Sequence, residues 1–148
     1  MAEITRKELL LALISAGPNP RLAGADLTAL DMTRLDMSGS NMRGARMMAS
    51  TLREAILRSC NLSFADLQSA QMVGADLDSA NLTGANLAGI NIQSGRLTNA
   101  ILNGATLNGA NLQGASMRGA KVDNVKFDER TTWPDGKRGS QGSPADYI

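Results

Sequence analysis

Ala75-Asp76-Leu77-Asp78-Ser79-Ala80-Asn81-Leu82-Thr83-Gly84-Ala85-Asn86-Leu87 repeats itself every five residues: a small residue, a carboxylate or carboxamide, a leucine, then a small residue two further on. Followed outward in both directions, the apolar beat of this stretch never loses phase. It starts at Leu27, passes through Met32, Met37, Met42 and Met47, and ends at Val122 and Phe127, 21 beats in all. A fixed period has to be explained before any single residue is interpreted. In a helix five residues advance about 500°, so the beats would scatter around the axis. In a plain strand an odd period would send every second beat to the wrong face. Something must reset the parity once per unit.

The neighbouring columns show what does so. Two residues before the beat stands Ala in 13 of the 21 units, and alternation in an extended segment puts that residue on the same side as the beat. Each unit is therefore a short extended piece with one large and one small inward residue. Two residues after the beat stand Gly39, Gly44, Gly74, Gly84, Gly89, Gly104, Gly109, Gly114 and Gly119, with Ser59, Ser69, Ser79 and Ser94 in the same column. Small, turn-prone residues there place a bend in every unit. Ala75-Asp76-Leu77, Ala80-Asn81-Leu82-Thr83-Gly84, Ala85-Asn86-Leu87 and Ala110-Asn111-Leu112-Gln113-Gly114 resemble the A(D/N)LXX motif of pentapeptide-repeat proteins. That resemblance implies an all-β fold, a right-handed quadrilateral parallel β-helix with four units per coil. Twenty-one units then make about five coils, a tube roughly 25 Å long at about 4.8 Å per coil. Arg21-Leu22-Ala23-Gly24, with Pro20 in the Ala column, reads as a degenerate further unit.

Three segments follow: 1–24 as capping helix and lead-in, 25–129 as β-helix, 130–148 as C-terminal cap and tail. Thr5 and Glu8 have capping-box spacing, and Ile4 with Leu9 sits at the spacing of a hydrophobic staple. Leu9, Leu10, Leu13 and Ile14 would form the apolar stripe of this end cap, closed by Gly17-Pro18. A secretory signal is the rival reading, but the apolar run after Lys7 is about six residues, shorter than the ~7–15 of a signal, and Glu3 and Glu8 occupy its basic region. A cytoplasmic location is expected, and no stretch approaches the ~18 apolar residues that cross a bilayer. At the other end, Phe127 and Trp133 are placed to cover the last coil. Thr131-Thr132-Trp133-Pro134-Asp135-Gly136 resembles the closure that follows many repeats of this family. Gly139 to Pro144 reads as a mobile linker and the last residues as a disordered terminus.

Residues 20 apart should stack. Asp26, Arg46 and Asp66 then form one ladder, Arg58 lies under Asp78, and Asn41, Asn61 and Asn81 form an amide column that supports the coil. The four methionine beats read as gap-filling core, not as a soft-metal site. Cys60 stands in an Ala column as a small buried residue, not a nucleophile. Ile90, oversized in that column, is expected to trade volume with Gly95; Leu30 and Leu35 would widen the first coil to receive the helix. The outward apolar residues Met48, Ile56, Phe64 and Val73, with Ile101 further on, mark the second and third coils as the candidate partner surface.

Composition narrows the function classes. The 148 residues carry 15 basic and 14 acidic side chains, no His and one Cys, which argues against a nucleic-acid or membrane partner, against Cys/His metal sites and disulfides, and against His-based acid–base chemistry. Aromatics are 3% of the chain, too few for an ordinary globular core, so the interior must be narrow. A filled tube has no concave site, so no catalytic residue, metal or cofactor is expected. The expected function is a rigid scaffold that binds a protein partner through its faces or ends, with a homodimer as a further state. The resemblance also implies a second reading, since some members mimic duplex DNA and bind DNA gyrase. Those members are long and strongly negative, whereas 25–129 carries ten acidic and nine basic residues and makes about five coils. A regulatory role, like that of members abundant in oxygenic photosynthetic bacteria, shares the scaffold mechanism.

Overall fold

The computed structural model describes residues 4–17 and 19–148, without the side chains of Ile14 and Ser15. The readings of Ile14 and Pro18 as parts of the N-terminal cap lie outside the described residues. Parallel bridges join residues 20 apart without interruption, from Arg21 with Asn41 to Thr106 with Lys126. One coil is thus four five-residue units, and the degenerate unit at Arg21 is its first. The four sides are numbered from the units of Leu27, Met32, Met37 and Met42. The sheets are ladders of isolated bridges, one bridged residue per unit, because the chain turns before a strand can lengthen.

The unit around Leu82 accounts for all five of its backbone donors. Ala80 N–H closes a turn onto Leu77 O at 3.0 Å; Asn81 N–H bonds Cys60 O in the previous coil at 2.9 Å. Leu82 N–H and Gly84 N–H bond Ile101 O and Asn103 O of the next coil at 2.7 and 2.9 Å. That leaves Thr83 N–H, which the Asn81 side chain accepts at Oδ1, 3.0 Å away. The carboxylate or carboxamide before each beat therefore satisfies the one donor that coil stacking leaves over. Asp26, Asp36, Asn61, Asp76 and Asn86 do the same in their units. Where Ile56, Arg96, Ile101 or Thr106 holds that position, the corresponding N–H has no protein partner among the described residues.

Parity is reset at the second residue after each beat, which has positive φ in unit after unit. Glycine takes this conformation freely, but Ala29, Arg34, Glu54, Phe64 and Ser79 take it as well. A non-glycine residue there is disfavoured by roughly 1–2 kcal/mol, and the ladder above and below holds it.

Beats and Ala columns form one buried core, including Met32, Met37, Met42 and Met47 at 1% exposure or less. Cys60 donates to Met37 O at 2.9 Å, and burial pushes its thiol up to about 11, so it is a core residue held as the thiol. Gly95 corrects one expectation. A Cβ at that residue would stand 2.5 Å from Ile92 Cγ1, so it makes room for the β-branched beat Ile92 and not for Ile90.

At the N-terminal end, helix α1 (Arg6–Ser15) carries the expected capping box between Thr5 and Glu8. Leu9 is fully buried and Leu13 partly so, but Leu10 is 43% exposed and Leu11 54%, so the buried stripe is narrower than the sequence suggests. The reason is helical geometry: 9 and 13 share a face, and 10 lies about 100° away from 9. Arg6 finishes this end. Its guanidinium donates to Asp31 O at 2.7 Å and Thr33 O at 2.8 Å, carbonyls that in later coils accept backbone N–H groups from the coil before. A side chain stands in for a missing rung.

At the C-terminal end the beat does not stop at Phe127. After one inserted residue Thr132 bridges Asn111, and fully buried Trp133 takes the place of the next beat. The chain then reverses, and Arg138 pairs antiparallel with Thr132, so the final rung on the second side is covered. The tail is docked, in contrast to the mobile segment expected from its Gly, Ser and Pro content. Gly139–Gln141 and Pro144–Tyr147 form short 3-10 turns. Trp133 Nε1–H donates to Gly139 O at 2.7 Å, its ring meets Phe127 edge-on at 5.1 Å, and Tyr147 stacks on it at 5.8 Å. Tyr147 O–H in turn donates to Asp135 at 2.8 Å.

Two outcomes follow for stability. Asn81→Ala removes the partner of Thr83 N–H and should destabilise by about 1 kcal/mol, whereas Thr106→Asn supplies one to Asn108 N–H and should stabilise by about 0.5–1 kcal/mol; equal midpoints in urea for both variants and the parent would refute this accounting. The tail should respond to alkali. Burial and the bond to Asp135 push the Tyr147 hydroxyl up to about 12, so the stabilisation it provides is complete below about pH 10 and lost as pH rises through 12. Trp133 fluorescence is expected to change between pH 10 and 12, and the change should be absent in Tyr147→Phe.

Candidate interaction surface

The outward positions divide into flat sides, carrying the residues before the beats, and corners, carrying those after them. Charge pairs link successive coils. Arg46 reaches Asp26 at 3.0 Å on the first side, as stacking predicts, and at the corner after the second side Arg34 reaches Glu54 at 2.8 Å across one coil. Arg58 does not pair with Asp78. Its Nε bonds Asp76 at 2.6 Å, and Arg96 approaches the same carboxylate at 3.5 Å, because Asp76 lies on the side between them whereas Asp78 stands at the corner. Burial pushes the Asp76 carboxyl up, but hydrogen bonds from Arg58 and the Asp78 backbone, and the charge of Arg96, hold it below its ordinary value. The Asn41, Asn61 and Asn81 column is likewise corrected. These amides close their own turns onto Arg43, Ser63 and Thr83, while side-chain bonds between coils occur at Asn86 with Asp66 and Asn91 with Gln71.

The four apolar residues proposed from sequence are not brought together. Met48 belongs to a first-side unit, Val73 to the second, Ile56 to the third and Phe64 to the fourth. Ile56 and Val73 are half-buried, whereas Met48 and Phe64 are exposed at 38% and 57%. Phe64 stands apart from the others in its setting. Its corner column reads Gly24, Gly44, Phe64, Gly84, Gly104, so it is the one bulky residue in a run of glycines, held at φ +58°. Gly84 has two reasons to be glycine: φ is +64°, and a Cβ would stand 2.7 Å from the Phe64 ring. The Arg43 guanidinium lies over that ring, 5.1 Å from its centroid. Sequence reading missed this pairing, yet the signal was present, since an aromatic in a glycine column breaks the repeat without being able to face inward.

A shallow notch of about 300 Å³ runs along one corner between Gln68 and Arg130, over Ala88, Gly89 and Gly109. Its floor is low because Ala88 carries only a methyl group and Gly89 and Gly109 no side chain, and its one charged group, Arg130, is paired with Asp128 at 2.8 Å. Among the described residues no acidic, His or Cys cluster could hold a metal ion, and no helix is long and apolar enough to cross a membrane.

The family model for pentapeptide repeats matches residues 21–59, 45–84, 60–94 and 96–128, in eight copies. No curated protein matches the sequence significantly. Rfr23, a pentapeptide repeat protein from the cyanobacterium Cyanothece 51142, is 25% identical, with a TM-score of 0.55 over 86% of this chain and 99% of its own. A pentapeptide repeat protein of the Arabidopsis thaliana thylakoid lumen is 23% identical, with a TM-score of 0.52 over 76% of this chain and 66% of its own, a likeness of fold alone. A trypsin-treated form of QnrB1, a plasmid-mediated fluoroquinolone resistance protein, is 21% identical over 74% of this chain and 59% of its own, at a TM-score of 0.46 that carries no argument. A repeat model matching well over half of the chain, together with its 20-residue coil, shows that the protein belongs to the pentapeptide repeat family, whose members form right-handed β-helices.

Proposed function

We propose that the protein is a rigid, non-enzymatic scaffold that binds a protein partner, with Phe64 and Arg43 at the centre of the contact. The observation that carries this reading is Phe64 itself. A bulky aromatic at positive φ is a backbone outlier, and an outlier retained at a disfavoured position points to a use for the side chain. Here it presents an exposed ring that packs over Gly84 of the following coil and is overlain by a guanidinium. Aromatic and arginine side chains are the residues on which protein interfaces concentrate their binding energy.

The rest of the molecule supports a platform more than a reaction vessel. The interior is filled by beats and alanines, and the unit around Leu82 spends every backbone donor internally. What faces a partner is a set of side chains held at the fixed spacing of the coils. Acids on the first three sides are interleaved with Arg46, Arg34, Arg58 and Arg96, a pattern that does not favour imitation of a DNA phosphate backbone.

Affinity capture from the source cells should recover a partner whose binding weakens about 30-fold in Phe64→Ala, the loss of a central aromatic anchor at about 2 kcal/mol. Binding should survive Ile101→Ala. A partner held equally by both variants would remove Phe64 from the contact, and turnover of a substrate by the purified protein would overturn the scaffold reading itself.

A further inference from the structure

In the inner coils each beat and the residue two after it donate N–H groups to the coil that follows, and the carbonyl two before the beat accepts one back. The last coil has a follower only on its second side, where the chain reverses at Trp133. On the third and fourth sides, the N–H groups of Met117, Gly119, Val122 and Asn124 and the carbonyls of Ala115 and Ala120 have no protein partner among the described residues. The core thins at the same place. Every beat from Leu27 to Met117 is buried, but Val122 is partly exposed. Arg118 and Lys121 stand exposed on these two sides and Lys126 next to them at the start of the first side, all without ion pairs among the described residues, and Asp123 is the acid between the two lysines.

An open row of ladder donors and acceptors is a template for another backbone. Cationic residues at such an edge oppose a second copy of the same edge, since like charges would face one another, and they attract a chain of opposite charge. We propose that this edge is a β-augmentation site: an extended, acidic segment of a partner protein adds one further rung along the third and fourth sides. A residue above Ser116 or Lys121 would bond with both its N–H and its C=O, as Lys121 does with Ala100 and Leu102 in the coil below. Acidic side chains of the added segment would meet Arg118, Lys121 and Lys126. From the scaffold reading this takes only that the partner is a protein; the site is separate from Phe64.

The test is titration of the 15N-labelled protein with acetyl-Glu-Val-Glu-Val-Glu-amide, with acetyl-Lys-Val-Lys-Val-Lys-amide as the opposite charge. The acidic peptide should shift the amides of Met117, Gly119, Val122 and Asn124, with affinity falling at least tenfold in Lys121→Glu/Lys126→Glu and unchanged in Phe64→Ala. Both lysines are exposed, so the double variant should stay folded, which an unchanged spectrum for residues 45–94 would confirm. No shift at millimolar peptide, an equal response to the basic peptide, or shifts confined to another surface would overturn the proposal. So would concentration-dependent broadening of these same amides without peptide, which would identify a second copy as the occupant. If peptide binding fails while a Phe64-dependent partner is found, the scaffold reading stands and this edge is not its site.

Discussion

The fold depends on one requirement, that each coil lend its backbone bonds to the next. A unit of five residues has five N–H donors, and stacking plus one turn uses four of them. The fifth, after the beat, would be left to water unless a side chain accepts it, and only a short acceptor one residue before the beat can bend back that far. Asn81 does so for Thr83 and Asp76 does so for Asp78. Buried or crowded backbone donors without partners are costly, so the repeating carboxylate or carboxamide is as much a part of the backbone ladder as the peptide bonds. Leucine fills the tube, whereas the Asp/Asn column completes its hydrogen bonding.

This dependence explains which features were legible in the sequence. Period, inward columns and the bend follow from volume and parity, which composition displays directly, and all three are present in the structure. Side-chain pairing was harder to read. Stacking arithmetic put Arg58 under Asp78, but a long guanidinium chooses by reach, and Asp76 on the adjoining side lies closer. The equivalence of Asn41, Asn61 and Asn81 predicts an amide ladder along the tube axis, yet each amide faces a nearer donor within its own turn. Gly95 was paired with the wrong isoleucine for a similar reason, since volume in a coil is shared between adjoining units and not only within one column.

The ends escaped the sequence reading more completely, because their contacts are unique and do not repeat. Nothing in the period announces that Arg6 will supply two donors in place of a missing rung, or that one inserted residue will shift Trp133 into the beat position. The Gly, Ser and Pro content of the tail predicts a mobile segment, but composition describes an isolated chain. Here a buried indole provides a surface for Gly139 and Tyr147, and that contact offsets the entropy of ordering them. In a solenoid each coil is stabilised by two neighbours and a terminal coil by one, so capping matters more to the ends than any interior substitution.

The repeat is therefore informative where it is obeyed about architecture and where it is broken about use. Most breaks have an internal explanation: Gly95 admits Ile92, Cys60 replaces an alanine with little change of volume, and Thr131, buried in the Ala column after the insertion, bonds Leu107 O. Phe64 has no such explanation. Its ring fills no gap in the core, its backbone sits in a conformation that glycine adopts at four other levels of that corner, and the structure retains it at some cost in stability. A scaffold held by its repeat can tolerate non-glycine residues in this conformation between intact rungs, as Ala29, Arg34 and Ser79 also show, because the bonds on either side fix the backbone regardless of the side chain. That tolerance is what allows a filled tube, which has no cavity of its own to offer, to carry a recognition residue on a corner.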